Sequence, residues 1–168
     1  MTSIPITMCH GINPDGEYPL TMEHLDQLVQ IARELGFNSI DYNQLDDWRQ
    51  GGNLPERPIM FDFDHPAKSM CYEVCEILAR YGYSGNLFVN TGWMDPDAEG
   101  YGETTATWQE LRELLDLGWH IGAHTVTHPN LSALVAEDPQ GEKSDEGSQK
   151  PAKVPRHLSS HATPMGSK

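Results

Sequence analysis

Two short clusters in this 168-residue chain bring together residue types that do chemistry. The first is Asp62-Phe63-Asp64, at the end of the apolar stretch 58–63. In a strand, residues two apart face the same way, so both carboxylates project together from one face. Neighbouring buried carboxylates are costly unless a cation or a shared proton neutralises them. The second cluster is His124-Thr125-Val126-Thr127-His128-Pro129, just past the apolar stretch 119–123. Two imidazoles four residues apart can converge on one metal across a helical turn or a tight loop. No Glu follows His124, so the helical metalloprotease pattern is not met. One carboxylate and two imidazoles make a ligand set of the right hardness for a catalytic Zn²⁺ or a similar divalent ion, with a position left open for water. The spare carboxylate can then act as general base. The same set also suits non-haem Fe(II) oxygenases, which usually carry it on a β jelly roll. Taken singly, each cluster has a plainer reading as solvated acids or as structural histidines.

The elements that must position these clusters alternate between strand and helix. Residues 4–9, 37–42, 58–63, 86–90 and 119–123 read as strands. Residues 21–35 read as a helix capped by Thr21, with Leu25, Leu28, Val29, Ile31 and Ala32 as its apolar stripe. Further helices are expected over 43–50, 69–81 and 107–117, the last capped by Thr107, with a short one over 130–136. Residues 91–105 read as a long loop. Strands alternating with helices favour a parallel sheet or barrel, whose ligand sites form at the C-terminal strand ends. Both clusters stand at such ends.

Composition narrows the function. Apolar residues make up 38% of the chain, as expected of a globular body. No window approaches eighteen consecutive apolar residues, so no membrane span is expected. The net charge of −14 opposes general nucleic-acid binding. That charge is uneven: residues 1–138 hold 22 acids and 6 bases, whereas residues 139–168 hold 3 acids and 5 bases. The latter stretch lacks aromatics and is rich in Ser, Gly, Pro and Lys, so 141–168 reads as a disordered tail after a body of residues 1–140. Three cysteines make no disulfide scaffold. Cys71 and Cys75 read as buried thiols, and Trp108 and Trp119 as core. Trp93 and Met94 follow a strand end and can form a hydrophobic lid over the sheet. No signal peptide is visible, which gives a cytoplasmic expectation by default.

At this point the motifs resemble a known family. Phe61-Asp62-Phe63-Asp64 is similar to the Thr-Phe-Asp-Asp-Gly motif of the polysaccharide deacetylases, the NodB-homology domains of carbohydrate esterase family 4. His124-Thr125-Val126-Thr127-His128-Pro129 matches the second motif, His-Ser/Thr-x-x-His-Pro. Thr7-Met8-Cys9-His10-Gly11-Ile12 resembles the opening strand, Leu87-Phe88-Val89-Asn90-Thr91-Gly92 the strand between the motifs, and Thr107-Trp108 with Leu111 and Leu114 the helix before the second. The likeness covers residues 4–138. It implies an α/β fold, a distorted (β/α)7 barrel, here incomplete. It also implies a hydrolase that removes acetyl groups from N-acetylated glycans, with an acetylated oligo- or polysaccharide as partner. Carried over by position, Asp62 is the general base, and Asp64, His124 and His128 hold a divalent metal, Zn first, with Co, Ni, Mn or Fe as alternatives.

Three departures accompany the match. Phe63 separates the two aspartates, so their base and ligand roles are exchangeable. His65 stands where the family often has Gly, a residue that serves tight turns; its ring can reach the metal's rim or face solvent. The family's later motifs do not follow His128, and the change of character near Glu142 and Lys143 reads as a frameshift, a splice variant or a truncated gene. Two alternatives follow: a truncated or degenerate relative that binds metal without turnover, and an allantoinase-like hydrolase of a small cyclic amide. An incomplete barrel also exposes strand edges that invite pairing with another chain.

Overall fold

The computed structural model describes residues 3–16 and 19–133. In chain order the elements are β1 (Ile6–Cys9), α1 (Met22–Glu34), β2 (Asn38–Ser39), α2 (Tyr42–Arg49), β3 (Pro58–Asp64), α3 (Glu73–Arg80), β4 (Asn86–Val89), α4 (Trp108–Asp116) and β5 (His120–Ala123), with a 3₁₀ turn at Lys68–Met70 before α3. The strands pair in parallel in the order β1-β3-β4-β5, and β2 joins Pro58 and Ile59 at the start of β3. This is the α/β architecture with a parallel sheet that the alternation predicts. No helix among the described residues is long and apolar enough to cross a membrane.

β3 is the centre of the sheet, and its first six residues are buried. The two-residue strand period sends Phe61 and Phe63 into the layer under the helices, against Tyr83 and Trp119 at ring-centroid distances of 5.4 and 5.5 Å. Leu25, Val29, Ala32, Val74, Cys75, Ile77, Leu78, Leu111 and Leu114 complete this core from the helices. The opposite face of the sheet is polar in layers. Asp62 lies in register with Asn86, and Asn86 with His120; one layer further along, Asp64 is aligned with Phe88, and Phe88 with Gly122.

Side-chain caps decide where the helices start. Thr21 accepts from the His24 amide at the head of α1. Capping boxes open α2 through Asp41 and Gln44, and α4 through Thr107 and Glu110. The box at Asp41 explains one difference from the sequence expectation. The strand expected over 37–42 shrinks to Asn38–Ser39 because Asp41 already faces into α2. The helix expected over 69–81 is broken at Tyr72, which adopts φ −120° and ψ −82°. Cys75 is buried, Cys9 and Cys71 are half-buried, and all three are free thiols. Asn130 accepts from the Ala133 amide, as a helix cap there should. The remainder of that helix and the tail over 141–168 lie outside the described residues.

The break at Tyr72 lets its hydroxyl donate to Glu110 Oε1 at 2.6 Å. Lys68 Nζ lies 3.2 Å from the same oxygen, and the Thr107 amide and hydroxyl donate to Oε2 at 2.7 and 2.9 Å. Burial alone would raise the Glu110 pKa, but hydrogen bonds from Tyr72, Thr107 and Lys68 outweigh it and bring the value down to about 2. A folded-state pKa below the unfolded one stabilises the fold above the unfolded value and loses that contribution as pH falls through the folded value. Glu110→Gln is therefore expected to lower unfolding stability by about 2 kcal/mol at neutral pH. The difference should shrink as the pH approaches about 2. Urea denaturation of both proteins across that range checks this, and an equal deficit at both ends would contradict it.

Candidate functional site

The site forms where β3, β4 and β5 end side by side. After Asp64 the chain turns sharply at His65, whose φ is 69°. The turn is anchored by the His65 amide, which donates to the Phe88 carbonyl at 2.9 Å. After β5, the His124 amide donates to the Val89 carbonyl at 2.8 Å. The next loop passes through Thr125 at φ 64° and His128 at φ 57°, with the His128 amide on Thr125 Oγ1 at 2.9 Å. Beside it, the Gly92 amide donates to the Val126 carbonyl at 2.8 Å. A Cβ on Gly92 would sit 2.7 Å from that carbonyl, so only glycine allows this approach.

Three of the four non-glycine residues with positive φ among the described residues are therefore His65, Thr125 and His128. Each carries roughly 1–2 kcal/mol of backbone strain, a cost that tends to collect at functional sites.

The loops bring three imidazoles into a triangle. Ring centroids are separated by 4.9 Å for His124 and His128, 4.9 Å for His65 and His128, and 5.2 Å for His65 and His124. One nitrogen from each ring lies within 4.8 Å of the other two. A tetrahedral cation with ~2.0–2.1 Å bonds to nitrogen sets its ligands about 3.3 Å apart, a distance that small side-chain rotations reach from here. The donor chemistry fits a divalent transition metal, since neutral imidazole suits Zn, Cu, Fe and Ni. Burial depresses the His124 pKa, which favours the neutral ring that such a role requires.

Asn90 organises the triangle from below. Its side chain is wholly buried. Asn90 Oδ1 pairs with His65 Nδ1 at 2.8 Å, and its Nδ2 donates to the His124 carbonyl. One carboxamide thus ties two of the rings to the end of β4.

The two aspartates share a face, as the strand period requires, but stand at different depths. Asp64 is at the rim, with Oδ2 3.8 Å from His124 Nε2. Asp62 is one layer further in and buried. Its Oδ2 accepts from the Tyr42 hydroxyl at 2.6 Å and its Oδ1 from Asn86 Nδ2 at 2.9 Å. Desolvation raises the Asp62 pKa despite these two donors, and raises that of Tyr42 as well.

Of the residues singled out from the sequence, His124 and His128 meet, Asp64 lies 3.8 Å from His124, and buried Asp62 is held by Tyr42 and Asn86. The residue left without a role, His65, completes the imidazole triangle. Its signal in the sequence was its place in the turn where the related motif often has glycine. Trp93 also belongs to the site, with its ring 5.0 Å from His65 and 6.4 Å from His128. The ring of His10 lies beside that of His65, at a centroid distance of 5.2 Å.

The description of the polysaccharide deacetylase family matches residues 51–166 of the chain. No curated protein matches. Among solved structures, the chain is similar to the Streptococcus pyogenes deacetylase PplD in complex with acetate, at 22% identity and a TM-score of 0.65 over 76% of this chain and 58% of that one. It is also similar to the deacetylase domain of BpsB from Bordetella bronchiseptica, at 26% identity and a TM-score of 0.61 over 74% of this chain and 55% of that one. IcaB from Ammonifex degensii gives 19% identity and a TM-score of 0.64 over 84% of this chain and 66% of that one. The chain thus spans a little over half to about two thirds of the length of these structures. With the family description covering more than half of its residues, the chain belongs to the polysaccharide deacetylase family.

Proposed function

We propose that this chain is a metal-dependent hydrolase that removes acetyl groups from N-acetylated glycans. The observation that carries the reading is the convergence of His124 and His128, with a carboxylate 3.8 Å away, at the C-terminal ends of parallel strands in a chain of this family. Zinc fits this donor set best. When bound, a divalent cation supplies Lewis-acid polarisation of the acetyl carbonyl and of the attacking water.

The chain's own residues supply the rest. His124 and His128 offer nitrogen donors from a loop fixed by its backbone bonds to residues 91 and 92. The end of β3 supplies a further donor and the base that takes the proton from water. Trp93 is 37% exposed beside the triangle and offers an apolar face against which a sugar ring can rest.

The full chain loaded with Zn²⁺ is expected to release acetate from N-acetylglucosamine oligomers, and to stop when a chelator strips the metal. His124→Ala or His128→Ala should each reduce that rate by about 100-fold or more, with metal uptake falling in parallel. Stoichiometric metal uptake without acetate from any acetylated glycan would mark a binding-only relative and overturn the proposal. Release of ammonia or a ureide product from a small cyclic amide would replace the substrate class.

Trp93→Ala is expected to raise KM several-fold while leaving kcat within about two-fold, the pattern of a lost ground-state contact. Steady-state kinetics on one oligomer decides this, and a fall in kcat alone would remove Trp93 from substrate binding.

A further inference from the structure

We propose that the ring of Phe88 is the floor of the site and limits the acyl group it accepts to acetyl. The choice of substrate rests on the hydrolase reading above; the shape of the floor rests on the sheet alone.

The first argument is register. Asp64, Phe88 and Gly122 lie side by side across β3, β4 and β5. The His124 amide continues the pairing by donating to the Val89 carbonyl. Residues two apart on a strand share a face, so His124 follows Gly122 on the same face, about 6.6 Å further along. The approach of His124 Nε2 to Asp64 Oδ2, at 3.8 Å, agrees with that placement. The row of Asp64, Phe88 and Gly122 is therefore the layer directly beneath the imidazoles.

The second is the lie of the ring. A Cβ on Gly122 would stand 2.6 Å from Phe88 Cδ1 and 2.7 Å from Cε1. The ring thus extends from β4 across β5 and covers the place where a side chain at 122 would otherwise stand. Gly122 is the residue that lets it do so.

The third is support from behind. Phe88 is buried. Tyr42 meets its ring edge-on at 5.3 Å, and the Tyr42 hydroxyl is itself bound to Asp62 Oδ2 at 2.6 Å. A ring wedged between a backbone and a tethered tyrosine does not retreat inward, because close-packed interiors yield little.

The chemistry of the substrate supplies the last step. In an N-acyl sugar, the alkyl end and the sugar lie on opposite sides of the carbonyl. With the sugar on the open side, by Trp93, and the carbonyl at the imidazoles, the alkyl end points at the floor. A methyl group meets an apolar ring there. Each further methylene must displace that ring, which a close-packed pocket resists by about ten-fold or more in affinity.

The test loads the full chain with Co²⁺ and titrates acetate, propionate and butyrate separately, following the visible absorption. These ions carry the alkyl ends in question and need no turnover. The unmodified chain is expected to bind acetate about ten-fold or more tightly than propionate, and butyrate more weakly still. Phe88→Ala should bring propionate to within about three-fold of acetate. Phe88→Leu keeps most of the apolar volume and guards against loss of the fold; it should move the ratio in the same direction. With N-acetyl and N-propionyl glucosamine oligomers, the ratio of kcat/KM values should shift likewise.

An unmodified chain that binds the carboxylates equally, or binds none, overturns the proposal. So does a Phe88→Leu protein that keeps the original preference, or one that loses affinity for all of them alike, since a merely structural ring would act in that way. If the carboxylate preference shifts as expected while no oligomer releases acid, the hydrolase reading fails and the assignment of Phe88 stands.

Discussion

The candidate site depends on one buried carboxamide. Asn90 ends β4 between two loops that have no covalent connection near it, and it has one hydrogen bond for each: a ring nitrogen of His65 and the main-chain carbonyl of His124. A buried amide must find such partners, because leaving them unmade costs the desolvation of each group. Satisfying Asn90 therefore fixes the distance between the end of β3 and the end of β5. The parallel register of β3, β4 and β5 places the three strand ends close enough for a single side chain to span them. The positive-φ turns at His65, Thr125 and His128 are then held by hydrogen bonds on both sides.

Behind this rim the sheet interior separates two kinds of polarity. Asp62, Asn86 and His120 form a layer that is almost closed to water. Tyr42 reaches into it from α2, with its ring edge-on to Phe88 at 5.3 Å and 5.7 Å from His120. Phe88, one layer further out, lies so close to Gly122 that a Cβ there would approach its ring to 2.6 Å. Two carboxylates on one strand face thus experience different surroundings, and burial raises the pKa of the inner one.

Much of this was legible in the residues. The caps at Thr21 and Thr107, the apolar run of β3 and the histidine spacing after β5 each have a local cause that a sequence displays. The same-face rule for Asp62 and Asp64 held, yet it says nothing about depth. Which of the two reaches the imidazoles depends on the register with Asn86 and Phe88, a tertiary fact. His65 was hidden for a related reason. A histidine in the left-handed region is uncommon, and whether its ring turns inward is decided by Asn90, twenty-five residues away. The capping box at Asp41 shows the opposite case: a local signal stronger than the β propensity around it, which shortened β2 to two residues.

The long segment after β4 is fastened along its length. Met94 is fully buried, and Lys68 and Ala106 bond across to the backbone of Thr104 and Pro66 at 2.8 and 2.7 Å. Glu110 then gathers Lys68, Tyr72 and Thr107 at its far end. A segment anchored in this way does not swing. The wall that carries Trp93 is held by these bonds, so a sugar docking there, as proposed above, would demand little loss of backbone freedom from the protein. Selectivity on that side should accordingly follow shape, favouring flat, stiff rings over flexible chains of equal length.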